Sequence, residues 1–285
     1  MNSPDAPITY SRDKFVNMSV PELIRHFEVE GFVIFPETLG PDLIARLKAE
    51  LDSLPMRASF FTDLPCFAKI PPHTHGSELA GLIAHKPVTS FLETLMGDDL
   101  VFMHSFYVLS HPGGPELDVH TDFQPYGSTY SGWLESCPIR SRVLYYLDDA
   151  PAERAALRII PRSHICFHKD AQPYRRYVRH ADEVLIELKA GDAFVFAVRL
   201  FHGVTGNTTN DKRGMLEYDY RPTWSRPMQP VPEWTAEQLA HVPEEAQRFL
   251  KGRNHLDFGW EFDAKRASVD EPAPGMSPAR WGDGK

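Results

Sequence analysis

The sequence predicts a mainly β protein with helical decoration, folded as an antiparallel jelly roll. Three observations predict it. Between Leu100 and Pro222, short β-branched and aromatic runs recur, cut by Gly, Pro and Asp, as the strands of a sandwich or barrel are. There is no strand–helix–strand rhythm and no glycine-rich phosphate loop behind a strand, which counts against a doubly wound parallel sheet. Ahead of Leu100 the apolar spacing is that of helices.

In chain order, Ser19-Val20-Pro21-Glu22 has the form of a capping box leading into LIRHFEVE, with Gly31 placed to stop the helix. GFVIFP reads as a short buried strand. PDLIARLKAELDSL places Leu43, Leu47, Leu51 and Leu54 at helical spacing, and PVTSFLETLMG closes on Gly97. The strand segments follow as LVFMHSFYVLS, ELDVHTD, SRVLYYLDD, ALRIIP, EVLIELK, AFVFAV and GMLEYDYRP. Two short helical stretches, AEQLAH and PEEAQRFLKG, precede a polar tail. Residues 1–285 read as one domain: a helical front section 1–99, a β core 100–222, and a C-terminal extension 223–285. The last ~15 residues have the composition of a disordered tail.

With 285 residues, 42% of them hydrophobic, the chain is long enough to bury a real core. Lys+Arg 30 against Asp+Glu 39 leaves a net charge of −9, so no basic footprint for nucleic acid or an anionic membrane is present. No apolar run approaches the roughly 20 residues of a membrane span, and the start lacks the layout of a signal peptide. The expected location is the cytoplasm. Cys66, Cys137 and Cys166 are odd in number and form no C-x-x-C, so neither a disulfide framework nor a structural zinc site is expected.

The chemistry starts at His120-Thr121-Asp122. Side chains repeat every two residues in a strand, so His120 and Asp122 leave one face and can grip one ion from one side. His202, about 80 residues further on at the end of AFVFAVRLFHG, supplies a third ligand if the strands are neighbours. Two imidazoles and one carboxylate on one face of a metal leave the opposite positions open, which suits Fe(II) that must also bind O2 and a co-substrate. Arg213 opens a strand on which Arg213, Met215, Glu217 and Asp219 share a face. An inward arginine needs an anion, and its planar fork fits a carboxylate. A dicarboxylate that chelates iron at one end and meets Arg213 at the other describes 2-oxoglutarate.

With these residues in place, the sequence resembles the phytanoyl-CoA dioxygenase family of Fe(II)/2-oxoglutarate oxygenases over roughly residues 15–222. The resemblance rests on LIRHFEVEGFVIFPETLGPDLIARLKAEL, VHTD, RVLYYLDDAPAERAALRIIPRSH and KAGDAFVFAVRLFHGVTGNTTNDKRGMLEYDY. It implies a double-stranded β-helix, the cupin-like form of jelly roll. It implies iron held by His120, Asp122 and His202, with Arg213 on the distal carboxylate of 2-oxoglutarate. It also implies Phe106 as an inward residue at the co-substrate and Lys69 as an upstream lysine. Where relatives carry a hydroxyl two positions after the distal histidine, this chain has Val204, and Thr205 is the nearest substitute. The implied reaction consumes O2 and 2-oxoglutarate, gives succinate and CO2, and oxidises a C–H bond of a small molecule, with hydroxylation the first expectation. Because the carboxylate ligand Asp122 is present, oxygen insertion is expected over halogenation. Two turns depart from the family pattern: Arg154-Ala155-Ala156-Leu157 and Pro161-Arg162-Ser163-His164 lack a glycine common there.

Substrate walls are expected in the long aromatic segment after Asp122, where Tyr126 and Trp133 are candidates. On the next strand Arg140 and Arg142 are placed to greet an acidic substrate, and register with Arg142 turns Tyr146 rather than Tyr145 inward. His73-Thr74-His75 lacks a third ligand, and His164 is expected to pin a turn. The competing classes are a non-enzymatic barrel of the same ancestry and a cupin-type metalloenzyme that dispenses with 2-oxoglutarate. Intact ligands favour the enzyme over the first, and Arg213 speaks against the second.

Overall fold

The computed structural model describes residues 8–59, 62–122, 140–165, 174–175, 177–225 and 231–255. Their strands are β1 (Ile8–Tyr10), β2 (Phe32–Phe35), β3 (Met56–Ser59), β4 (Thr62–Ala68), β5 (Leu100–Ser110), β6 (Leu117–His120), β7 (Ser141–Tyr146), β8 (Leu157–Ile160), β9 (Val184–Ile186), β10 (Ala193–Ala197), β11 (Phe201–Val204) and β12 (Arg213–Pro222). They form a small sheet ordered β1-β9-β8-β11-β6 and a large one ordered β2-β10-β7-β12-β5-β4-β3. Every pairing is antiparallel except β1 with β9. The helices are α1 (Val20–Glu30), α2 (Pro41–Leu51), α3 (Ser77–Gly81), α4 (Lys86–Met96), α5 (Ala236–Leu239) and α6 (Glu244–Gln247). The result is a jelly roll of the double-stranded β-helix type.

The large sheet is covered on both sides, which is why β10 reads as an unbroken apolar run. On one face Tyr218 and Tyr220 reach the helices, their hydroxyls donating to the carbonyls of Leu79 (2.5 Å) and Ile83 (2.9 Å). The other face meets the small sheet, where the Phe196 ring lies 4.7 Å from that of His202. Register assigns that inner face. Met215 pairs with Tyr146, Glu217 with Leu144 and Asp219 with Arg142 on one side of β12; Arg213 pairs with Ser110, Glu217 with Phe106 and Asp219 with His104 on the other. Tyr146 therefore faces inward and Tyr145 faces the helices, where its ring meets Tyr218. Phe32, Phe194 and Phe196 line the β2–β10 edge of the large sheet, each burial contributing about 1.5–3 kcal/mol.

The front section is less helical than the sequence suggests. It lends β1 to the small sheet and β2, β3 and β4 to the large one. Glu22 closes the first helix by accepting from the backbone N–H (2.8 Å) and hydroxyl (2.7 Å) of Ser19. Gly31 then turns the chain at φ 92°, and a Cβ there would lie 2.5 Å from Nδ1 of His164. His164 donates from Nε2 to the Glu28 carbonyl (3.0 Å), a turn-pinning contact. The described part of the C-terminal extension buries Val242, Ala246 and Phe249 in the core. Arg221 ties it down by donating to the carbonyls of Ser225 (2.7 Å) and His255 (2.7 Å). The expected disordered tail lies outside the described residues.

Candidate active site

Strands β6 and β11 set His120 directly across from His202. Two residues past β6, Asp122 is held by its N–H to the Val198 carbonyl (3.0 Å). The three side chains offer one ligand atom each, all within 4.8 Å of one another. Nε2 of His202 is 3.4 Å from Asp122 Oδ2, and Nε2 of His120 is 3.9 Å from Oδ1. Each ring places Nδ1 on a carbonyl, His120 on Asp118 (3.1 Å) and His202 on Leu200 (3.0 Å). A carbonyl only accepts, so Nδ1 carries the proton and Nε2 offers its lone pair to a metal. Burial opposes ionisation of Asp122, but Arg142 and the two imidazoles outweigh it and hold the carboxyl below its ordinary pKa.

Arg213 stands at the other end of the inner face and is 2% exposed. Its Nη2 donates to the Ala155 carbonyl (3.3 Å), and its Cζ lies 5.6 Å from the centre of the Tyr146 ring. Its Nε and Nη1 have no hydrogen-bond partner among the described residues. Burial lowers the guanidinium pKa, against the pull of Tyr146, Asp148 and Tyr107. A buried cation short of partners is costly until an anion meets it. A cavity with about 570 Å³ of empty space, partly open to solvent, runs from Arg213 between Cys66, Val108, Leu117 and Val204.

A polar network joins the three candidate metal ligands to β12. Arg142 Nη1 lies 2.8 Å from Asp122 Oδ2 and 3.0 Å from Glu217 Oε1, while its Nε donates to Asp219 Oδ1 (2.7 Å). Asp219 also accepts from Arg140, and His104 Nε2 lies 3.1 Å from it. His104, Glu217 and Asp219 thus form a second close acidic–imidazole group, already occupied by two guanidinium cations. The inward face of Glu217 and Asp219 is legible from their period with Arg213. Their pairing with Arg142 is not, because it joins strands some 75 residues apart.

Several expectations need correcting. Arg140 and Arg142 do not wait for an acidic substrate, since both are engaged by carboxylates of the chain itself. Thr205 accepts from the Ala156 N–H (2.9 Å) and donates to the Ala152 carbonyl (2.8 Å), so its hydroxyl is taken up by a turn, and Val204 lines the cavity instead. Lys69 falls just beyond β4 and is exposed; Cys66 and Phe67 line the cavity in its place. Phe106 is inward but registers with Glu217, four residues from the partner of Arg213, or about 13 Å along the strand. His73 is buried, with Nδ1 2.7 Å from the Ser105 hydroxyl and its ring packed edge-on to Phe102 and Trp234, a packing role. Tyr126 and Trp133 lie outside the described residues.

A jelly roll with two histidines and one carboxylate converging on one point, and a buried arginine further along the same inner face, defines the class of iron- and 2-oxoglutarate-dependent oxygenases. Within that class the chain belongs to the phytanoyl-CoA dioxygenase (PhyH) family, which it matches over residues 27–215. It is 23% identical over 263 residues to Dioxygenase ALT11 of Alternaria alternata, covering 84% of this chain and 83% of that protein. The epimerase SnoN, solved with Fe3+, alpha ketoglutarate and nogalamycin RO, superposes with a TM-score of 0.60 at 18% identity, covering 76% of this chain and 91% of SnoN. The carbocyclase SnoK from nogalamycin biosynthesis superposes at 0.57 and 20% identity, covering 75% of this chain and 87% of SnoK. At these identities the structural likeness is one of fold. The family makes this chain a non-haem iron oxygenase that uses 2-oxoglutarate and O2. No helix among the described residues is long and apolar enough to cross a membrane.

Proposed function

We propose that this oxygenase hydroxylates a C–H bond of a small-molecule metabolite or natural-product intermediate, with His120, Asp122 and His202 holding the iron and Arg213 the distal carboxylate of 2-oxoglutarate. The observation that carries the assignment is the set of three donor atoms within 4.8 Å, together with a buried guanidinium that keeps two donor nitrogens unpaired. Iron with 2-oxoglutarate supplies the oxidation, consuming O2 and releasing succinate and CO2. The chain's own residues do the rest. The Asp118 and Leu200 carbonyls fix the tautomers of the two imidazoles, and Arg142 keeps Asp122 ionised. Tyr146 walls the corner in which Arg213 meets its carboxylate, away from water. A small-molecule substrate is supported by the nogalamycin-related molecule in the SnoN structure. Oxygen insertion is favoured over halogenation because Asp122 keeps its place in the ligand set.

The test is anaerobic titration of the metal-free protein with Fe(II) and then 2-oxoglutarate, followed by the visible charge-transfer band of a chelated keto acid. The expected band needs both additions, and Arg213→Ala needs at least tenfold more keto acid, since a buried charge-assisted pair is lost. A band of equal affinity in the variant refutes the role of Arg213. A band that survives His202→Ala refutes the ligand set. Product mass then separates hydroxylation, one added oxygen, from ring closure or epimerisation.

A further inference from the structure

The inner face of the large sheet treats its two carboxylates differently. Asp219 is fully engaged, meeting Arg140, two nitrogens of Arg142 (2.7 and 3.2 Å) and His104 (3.1 Å). Glu217 has much less. Its near cation is Nη1 of Arg142 at 3.0 Å, and that nitrogen already lies 2.8 Å from Asp122. His104 is 3.9 Å away, beyond hydrogen-bond reach. Glu217 is 8% exposed, so it is removed from bulk water, and among the described residues Arg142 is the one cation within hydrogen-bond reach of it, a costly state for a carboxylate unless a ligand supplies further donors. Its neighbour across the strand pair is Phe106, 41% exposed, with its ring braced edge-on by His104 at 4.7 Å.

Both features sit at the metal end of the sandwich, one arginine away from the ligand Asp122. Among the described residues, the three carboxylates Asp122, Glu217 and Asp219 share two guanidinium groups, Arg140 and Arg142, each already on a carboxylate of the chain. An exposed ring beside a donor-poor carboxylate suits a group that is apolar on one side and donates on the other, and an ammonium adds attraction to the ring. We propose that Glu217 and Phe106 form a substrate-recognition pair, and that the substrate presents an ammonium or hydroxyl donor to Glu217 while its carbon skeleton packs on Phe106. Acidic acyl substrates are thereby disfavoured. This rests on the oxygenase reading above and extends it to the chemical class of the substrate.

Three fragments with one ring and different head groups test it: benzylamine, benzyl alcohol and benzoate. Each is added to the anaerobic protein carrying Fe(II) and 2-oxoglutarate, and relaxation of the ring protons by the nearby paramagnetic iron is read by NMR. Benzylamine and benzyl alcohol should relax at least fivefold more than benzoate. Glu217→Gln should reduce the benzylamine effect at least fivefold and spare the alcohol, since an amide oxygen still accepts. Phe106→Ala should weaken both. The keto-acid band, recorded first on each protein, shows that the variant is folded and loaded. Benzoate relaxing as strongly as benzylamine, or benzylamine indifferent to Glu217→Gln, overturns the pair while leaving the oxygenase reading intact. A wild-type protein without the band removes both.

Discussion

Ala155 and Arg162 hold φ values of 48° and 68°, in the left-handed region that side chains with a Cβ enter at a cost of about 1 kcal/mol. They stand at the two turn positions where the family commonly has glycine, so the turns keep a glycine conformation without the glycine. Each strained residue has a use. Arg162 donates from Nε and Nη2 to the Glu30 carboxylate, the shortest contact being 2.6 Å. Ala155 turns its carbonyl to Arg213 (3.3 Å) and its N–H to the Gly206 carbonyl (3.3 Å). Nothing about the Ala155 methyl is needed for these contacts. Ala155→Gly should therefore stabilise the protein by about 0.5 kcal/mol, the relief of φ strain less the added freedom of the unfolded chain, and raise Tm by roughly 1–2 °C. Calorimetry of the two proteins decides it, and a lowered Tm would mean that the methyl packs usefully at 2% exposure.

At the level of elements, the proposed iron site depends on one short pairing. β6 has four residues, borders the small sheet, and among the described residues pairs only with β11, with a register break between His202 and Val204. Gly203 lies in that break, and a Cβ there would fall 2.3 Å from the Leu117 carbonyl. Arg158 supports the same strand from the outer face, donating to the Leu117 carbonyl (3.0 Å) and Asp118 (3.2 Å). Gly203→Ala should push β6 away from β11 and separate His120 from His202. The expected loss in Fe(II) affinity is 10- to 100-fold, the size seen when supports of metal ligands are removed, with overall helix and strand content kept in circular dichroism. Unchanged iron affinity would show that the strand yields without moving His120. This dependence also shows what was readable beforehand. The strands from β5 to β12 announce themselves by alternation and β-branching, but β11 is four residues with a glycine and reads only as a strand end. The β3–β4 hairpin, interrupted by Pro65, gives no period at all, although it widens the large sheet and supplies Cys66 and Phe67 to the cavity. The convergence of His120, Asp122 and His202 was legible because it needs only two neighbouring strands. The Arg142 network was not, because three strands far apart in sequence must meet before its charges have partners.

The molecule as a whole is closed by two seams, and each has a neutral histidine in it. His26 seals the front section: its ring lies among Tyr10, Phe15 and Phe32, with centroids 5.0–5.8 Å away. His73 meets the C-terminal extension, packed against Trp234 at 4.9 Å. Burial pushes the His26 pKa down to about 4, helped by Lys14 and Arg162 and opposed by Glu30. It pushes His73 down to about 3, with Arg253 adding to the effect. Both values lie below the ordinary 6.5 of the unfolded chain, so as pH falls the unfolded state takes up protons first. The stability these residues contribute is whole above pH 6.5 and is lost as pH falls towards 4. At pH 5 the loss is roughly 2 kcal/mol for each ring, and the two together lower Tm by about 10 °C. The carboxylates with lowered pKa, Asp122 and Glu22 among them, weaken the fold only at more acid pH, so the window between 6.5 and 4 belongs to the histidines. Burial also lowers His164 to about 4 and depresses His85 and His104. Calorimetry at pH 7.5 and 5.0 should therefore show a fall of at least this size, of which His26→Phe, which keeps the aromatic packing without a titrating group, should remove roughly 2 kcal/mol. A Tm equal at the two pH values would mean that water reaches both seams and that neither ring is held neutral by its surroundings.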